Sequence, residues 1–128
     1  MILVFNVLAV LVTLFIGWLY NYGIVHSLFW HYAWYDAPLH VLSGIVIGLW
    51  AAAVSLQLRL RPGKAALLML LLAVVVGGAW ELFELSVGLT AVADKGYLID
   101  TMQDLLCDVA GVFVIICLYW SIYRERSL

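Results

Sequence analysis

The sequence predicts an all-α integral membrane protein, a bundle of four transmembrane helices with both termini cytoplasmic, and three observations carry that expectation. Of the 128 residues, 67% are hydrophobic and 11% charged, where an ordinary soluble domain has about 45–50% and about 25%; too little polar surface remains to cover a soluble fold. The mean hydropathy of +1.13 places most residues in or beside hydrocarbon, where backbone groups must pair within a helix or a closed barrel. The apolar stretches lack the alternation of barrel strands, and four of them approach the roughly 20 residues that cross a bilayer core.

One domain is expected over residues 1–128, with helices at about 2–20, 38–58, 65–85 and 101–123. The first has no Lys or Arg ahead of it, an apolar run too long for a leader and no small-residue cleavage site behind it, so it is expected to be retained. Asp36-Ala37-Pro38 sets an N-cap acceptor before a proline, the pattern that starts a second helix. Arg61-Pro62-Gly63-Lys64 reads as a tight turn into the third. Asp100-Thr101-Met102-Gln103 has capping-box spacing at the start of the fourth. Cys107 and Cys117, about 15 Å apart along that helix, cannot bridge each other and read as small packing residues.

The basic residues give the expected orientation. Arg59, Arg61 and Lys64 lie between the second and third helices, Arg124 and Arg126 in the C-terminal tail, and Lys95 in an opposite loop. The positive-inside rule makes the five-residue side cytoplasmic and the loops from Asn21 to Ala37 and Ser86 to Ile99 external. The protein is thus expected in a cytoplasmic (inner) membrane. Trp18, Tyr20, Tyr22, Trp30, Tyr32, Trp34, Tyr35, Trp80 and Tyr97 fall near the outer interface and Tyr119, Trp120 and Tyr123 near the inner one, the aromatic belts of a membrane protein. His26 and His31, among the outer aromatics, read as interface packing. A net charge of −2 without clustered Lys and Arg excludes a nucleic-acid partner.

On this topology the ionisable residues gather. Asp36 and His40 enter on the second helix, Glu81 and Glu84 leave on the third, and Asp100, Asp104 and Asp108 enter on the fourth, all in the outer half. Their spacing defines three ridges: Asp36, His40, Ser43, Gly44 and Gly48; Gly77, Glu81 and Glu84; Asp100, Asp104, Asp108 and Gly111. Small residues let membrane helices approach closely, so these ridges are expected to face the bundle interior. A mid-helix acid costs about 2.5–3.5 kcal/mol to insert, and no Lys or Arg shares that depth. The cluster must then hold protons, share them between acids, pair with a protonated His40, or surround a cation. Asp36 and Asp100 read most simply as helix caps, which leaves His40, Glu81, Glu84, Asp104 and Asp108 as the candidate metal ligands and Glu81 and Asp104 as the candidate catalytic carboxylates.

Tyr35-Asp36 with Pro38-Leu39-His40 and Gly44, Trp80-Glu81 with Glu84, and Asp100-Thr101 with Asp104-Leu105, Asp108 and Gly111 resemble the signature of small bacterial membrane proteins of the VanZ-like and YjdF-like families. The resemblance covers residues 34–114 and places three blocks in order on three consecutive helices. VanZ-like members usually carry amides where Glu84 and Asp108 stand, and an arginine that is absent here, so the pattern is closer to the YjdF-like one. What the resemblance implies is the fold and the position of the site rather than a reaction.

The expected function is an outward-facing acidic and histidine pocket that binds a divalent cation, Mg²⁺, Mn²⁺ or Zn²⁺ by its ligand chemistry, and that recognises or modifies an envelope lipid or amphiphile. Acting as an enzyme, such a site would polarise a phosphoryl or carbonyl oxygen with the metal and use a spare carboxylate as base. Two other classes suit the same residues: a structural or accessory subunit whose polar cluster fixes helix packing, and a proton- or cation-handling subunit. A relay should continue in polar residues toward the inner face, and the fourth helix is wholly apolar for several turns beyond Gly111. A membrane lipid is the expected partner. A homo-oligomer is expected too, since four short helices enclose little space.

Overall fold

The computed structural model describes residues 1–93 and 96–126, with side chains described as far as Arg124. Its elements are α1 (Ile2–Val25), a single-turn α2 (Leu28–His31), α3 (Asp36–Gln57), α4 (Pro62–Val87) and α5 (Tyr97–Arg126); no strand occurs among the described residues. The four long helices are each apolar and long enough to cross a membrane. They have 24, 22, 26 and 30 residues, or about 33–45 Å at 1.5 Å per residue, more than a hydrocarbon core of about 30 Å requires.

Every long helix overruns its expected bounds at one end or both, because hydropathy marks the hydrocarbon whereas the backbone ladder continues into the interface. Three start signals are corrected by this. Asp36 is the first residue of α3, and the cap position falls on Tyr35 without any side-chain cap bond. Pro62 opens α4, so Gly63 and Lys64 are helical and the turn is made by Leu58 to Arg61, with Arg59 left-handed at φ 52. The α5 ladder begins at Tyr97, and the Asp100 amide already donates to Gly96 O at 2.9 Å; Asp100 sits in the first turn and the capping box does not form. Gly88, at φ 74, ends α4 in the left-handed region that only glycine enters without strain.

The helix α3 is the centre of the bundle. It packs against α5, α1 and α4, and α5 packs in turn against α4, while α1 lies on α3. The composition explains the choice: the buried face of α3 is built from Gly44, Gly48, Ala51, Ala52, Ala53 and Ser55, beside Val46, Ile47 and Leu49, and small residues are what allow several helices to converge on one. At the tightest crossing a Cβ added to Gly44 would strike the Asp108 carbonyl, and one added to Gly111 would strike the Val41 carbonyl. One turn further along, a Cβ at Gly48 would lie 2.8 Å from Ile115 Cβ. Thus α3 and α5 touch backbone to backbone just inward of His40 and Asp108.

Two tyrosines fix the ends of this bundle. Tyr35 Oη donates to Leu19 O at 2.9 Å, joining the entry of α3 to α1, and Tyr119 Oη donates to Leu60 O at 3.1 Å, joining the far end of α5 to the α3–α4 turn. The second bond places the last turns of α5, which carry Arg124, at the same end as Arg59, Arg61 and Lys64. Lys95 and the side chain of Arg126, which the charge argument also used, lie outside the described residues. Most aromatics at the opposite end of the bundle are exposed as a belt requires, Trp18, Trp30 and Trp34 among them, but Tyr35 is buried: its ring and that of Phe29, in T-shaped contact at 5.0 Å, fill the space beside Gly23. His31 Nδ1 lies 2.7 Å from Ser27 O and His26 packs on Tyr22, both in local contacts of the segment between α1 and α3. Cys107 and Cys117 are unbridged.

Candidate functional site

The three ridges face inward. His40, Gly44 and Gly48 on α3, Gly77 and Glu81 on α4, and Asp104, Asp108 and Gly111 on α5 are all buried. Periodicity alone accounts for this, since positions three and four apart share a helical face, and the glycines decide which face can be approached. The site lies at the end of the bundle opposite Arg59, Arg61, Lys64 and Arg124.

At its centre stands the His40 imidazole, 5% exposed, between three carboxylates. Nε2 is 3.7 Å from Asp36 Oδ2 and 3.9 Å from Asp104 Oδ1; Nδ1 is 3.4 Å from Asp108 Oδ1. The two Nε2 contacts are too long for hydrogen bonds, which in charged N–H···O pairs close to about 2.7–2.9 Å. They hold two carboxylates around one ring nitrogen with a gap between. Asp36, His40 and Asp104 each offer a ligand atom, and these atoms lie within 4.8 Å of one another. Two donors about 2.1 Å from a shared tetrahedral ion stand about 3.4 Å apart, so a small inward adjustment suits this set to a cation. Asp104 is buried, whereas the Asp36 side chain is 39% exposed and opens the group toward the helix ends.

Asp108 sits one turn deeper than Asp104. It is 2% exposed, and its Oδ1 has no hydrogen-bond partner despite the nearby ring. Its other oxygen occupies the notch left by Gly77, where a Cβ would come within 2.5 Å of Oδ2. Glu81 is also buried. Its Oε2 accepts a hydrogen bond from Thr101 Oγ1 at 2.8 Å and its Oε1 is unpartnered. Glu84 is half-buried on the same face of α4 and accepts from Trp80 Nε1 at 3.0 Å, while Asp100 is exposed.

The residues that sequence reasoning singled out are therefore all at one end of the bundle, but their grouping differs. Of the expected ligands, His40 and Asp104 share the cation-sized group; Asp108 faces the opposite ring nitrogen, Glu81 is tied to Thr101, and Glu84 is tied to Trp80. Asp36, set aside as a cap, completes the group. Its position four residues before His40 had put both side chains on one helical face, and the neighbouring Pro38 had outweighed that signal. Thr101 was missed because a neutral hydroxyl inside the expected capping box carries no signal of its own until α5 is seen to pack against α4 and bring it to Glu81.

No curated protein and no solved structure matches the chain. One protein family does: it is described as "Predicted membrane protein (DUF2238)" and matches residues 1–126. Four apolar helices long enough to cross a membrane agree with that description, and with almost the whole length matched, the chain belongs to the DUF2238 membrane protein family.

Proposed function

We propose that this protein binds a divalent cation through Asp36, His40 and Asp104 at the extracytoplasmic end of its bundle, and that the site recognises or modifies an envelope lipid or amphiphile there. The observation that carries the reading is the convergence of one imidazole nitrogen and two carboxylates within 4.8 Å, with two of the three residues buried and the described basic side chains at the far end. The buried Asp104 carboxylate loses solvation and is repelled by the nearby Asp36, and a cation offsets both penalties at once. One nitrogen and two oxygen donors suit Zn²⁺ or Mn²⁺, and Mg²⁺ with more water in the shell. The half-open Asp36 supports access from the headgroup region. Should the site be catalytic, the unpartnered Oε1 of Glu81 and the carboxylate of Asp104 are the groups placed to handle a proton.

Orientation rests on charge: Arg59, Arg61, Lys64 and Arg124 at one end support a cytoplasmic assignment for that end, in a cytoplasmic membrane, and an outward one for the site. The order of the motif blocks on α3, α4 and α5 supports kinship with the YjdF-like and VanZ-like proteins. A second reading, a polar cluster that only fixes packing, draws support from the Thr101–Glu81 bond between α5 and α4. A relay across the membrane is disfavoured, because the backbone crossing at Gly44 and Gly111 lies directly inward of Asp108 and α5 is apolar for several turns beyond it.

Thermal unfolding of the detergent-solubilised protein with added Zn²⁺, Mn²⁺ or Mg²⁺ tests the proposal. A cation that binds only the folded form adds about 2.7 kcal/mol at a hundredfold excess over Kd, so Tm should rise in the wild type and not in His40→Ala or Asp104→Asn. His26→Ala and His31→Ala should respond as the wild type does. Equal responses in wild type and Asp104→Asn would leave the packing reading as the better account.

A further inference from the structure

We infer that Asp108 is not a cation ligand but a positioning residue: it holds the proton of His40 on Nδ1, so that Nε2 is presented to the cation as one of three protein ligands with a coordination position left open. This rests on the cation reading above and assigns the roles within it.

The geometry separates the two sides of the ring. Nε2 faces Asp36 and Asp104, whose oxygens complete the 4.8 Å group; Nδ1 faces Asp108 Oδ1 at 3.4 Å. A neutral imidazole carries one N–H, and a metal takes the nitrogen that lacks it. Whichever nitrogen finds the better acceptor keeps the proton, and Asp108 Oδ1 is an acceptor waiting for one: it is buried, makes no hydrogen bond, and belongs to a side chain 3% exposed. An unsatisfied buried carboxylate oxygen is costly, and turning the Nδ1–H onto it relieves that cost while freeing Nε2. Metal-bound histidines commonly donate their second N–H to such a carboxylate, which fixes tautomer and ring orientation.

Asp108 is also held where it can do this. Its Oδ2 lies in the Gly77 notch, and its own carbonyl is pressed against Gly44 at the α3–α5 crossing. The Asp108 carboxylate, seated beside Gly77 with its backbone against Gly44, stays on the Nδ1 side of the ring, whereas Asp36, with a 39% exposed side chain, has room to close on an ion. Two aspartates and one histidine make a three-ligand set, and three protein ligands with an open fourth position is the arrangement of zinc sites that bind water or substrate.

Nuclear magnetic resonance of the full chain in micelles, with ¹⁵N-labelled histidine and ¹¹³Cd²⁺ as the probe ion, reads both roles. His26 and His31 serve as internal references. The expected result is ¹¹³Cd–¹⁵N coupling to His40 Nε2 with a protected proton on Nδ1. In Asp108→Asn, whose amide oxygen still accepts that proton, the same coupling should persist with Zn²⁺ affinity lowered about 10–100-fold, and Asp108→Ala should lose the Nδ1 proton signal. Asp36→Asn and Asp104→Asn should lose the bound ion instead. Coupling to Nδ1, or loss of the ion in Asp108→Asn as complete as in Asp104→Asn, overturns the assignment and makes Asp108 a ligand. If Cd²⁺ leaves His40 untouched in the wild type, it is the cation reading that fails. The metal-free spectra then still judge Asp108: an Nδ1 proton present in the wild type and absent from Asp108→Ala upholds the pairing, and identical spectra refute it.

Discussion

Single residues at this site do different work from what their local sequence suggests. Asp36 has the neighbours of a helix cap, yet it makes no cap bond and stands 3.7 Å from His40. Replacing it with Asn removes two small opposing effects, a favourable carboxylate at a helix start, about 0.3–1 kcal/mol, and its repulsion with Asp104. Metal-free unfolding of Asp36→Asn should accordingly stay within about 0.5 kcal/mol of the wild type, while its Tm shift with Zn²⁺ should fall markedly. A large metal-free loss would restore the cap role. Thr101 offers the converse case. Its hydroxyl is the donor to Glu81 Oε2, and Oε1 has no partner, so Thr101→Val strips a buried carboxylate of its hydrogen bond and should cost about 1–3 kcal/mol. Thr101→Ser should recover most of it, and equal stability of the Ser and Val variants would show that the bond contributes little.

Among the helices, the decisive contact is the crossing of α3 and α5. Alanine is favoured over glycine in a helix by about 1 kcal/mol, so a Gly→Ala substitution stabilises wherever space allows. Gly78 meets nothing within 4 Å of an added Cβ, whereas Gly44 and Gly111 meet backbone carbonyls of the partner helix. Denaturation in detergent should therefore find Gly78→Ala neutral or more stable, and Gly44→Ala and Gly111→Ala less stable by about 1–3 kcal/mol, the usual cost of overpacking. The helices must separate to admit either methyl, which also moves Asp108 from His40, so both variants should respond less to added metal. Gly44→Ala behaving like Gly78→Ala would mean that α3 and α5 do not touch backbone to backbone at this crossing.

The whole molecule is polarised: Asp36, His40, Glu81, Glu84, Asp100, Asp104 and Asp108 occupy one end and the described basic side chains the other. A chain inserted by its positive loops should place reporters fused in the α3–α4 turn and at the C-terminus in the cytoplasm, and one inserted at Ala93 outside. Labelling of cysteines substituted at Arg61 and Ala93 with an impermeant reagent in intact cells gives the same answer independently, with only the Ala93 position reactive. An external C-terminus would put the site on the cytoplasmic face and change which lipids and ions reach it. The fold itself would be untouched, because the tyrosine bonds at the two ends and the glycine crossing are indifferent to orientation.

Four spanning helices were legible in the sequence because hydrocarbon demands continuous apolar runs about 20 residues long, a constraint that acts on each segment by itself. The inward faces were legible too, since a 3.6-residue period puts His40 with Gly44 and Gly48, and Asp104 with Asp108 and Gly111, on single ridges. Helix ends were not. The ladder of α5 continues back to Tyr97 through residues of mixed polarity, so Asp100 and Gln103 lost the capping roles their spacing implied. Pairing across helices was beyond the sequence altogether. The rotation and depth of α3 against α5 depend on which backbones can touch, and that is settled by Gly44 against Asp108 and Gly111 against Val41. Those contacts put Asp104 beside Asp36 on one ring nitrogen of His40 and Asp108 on the other. Periodicity assigns a residue to a face, but only packing assigns it a neighbour.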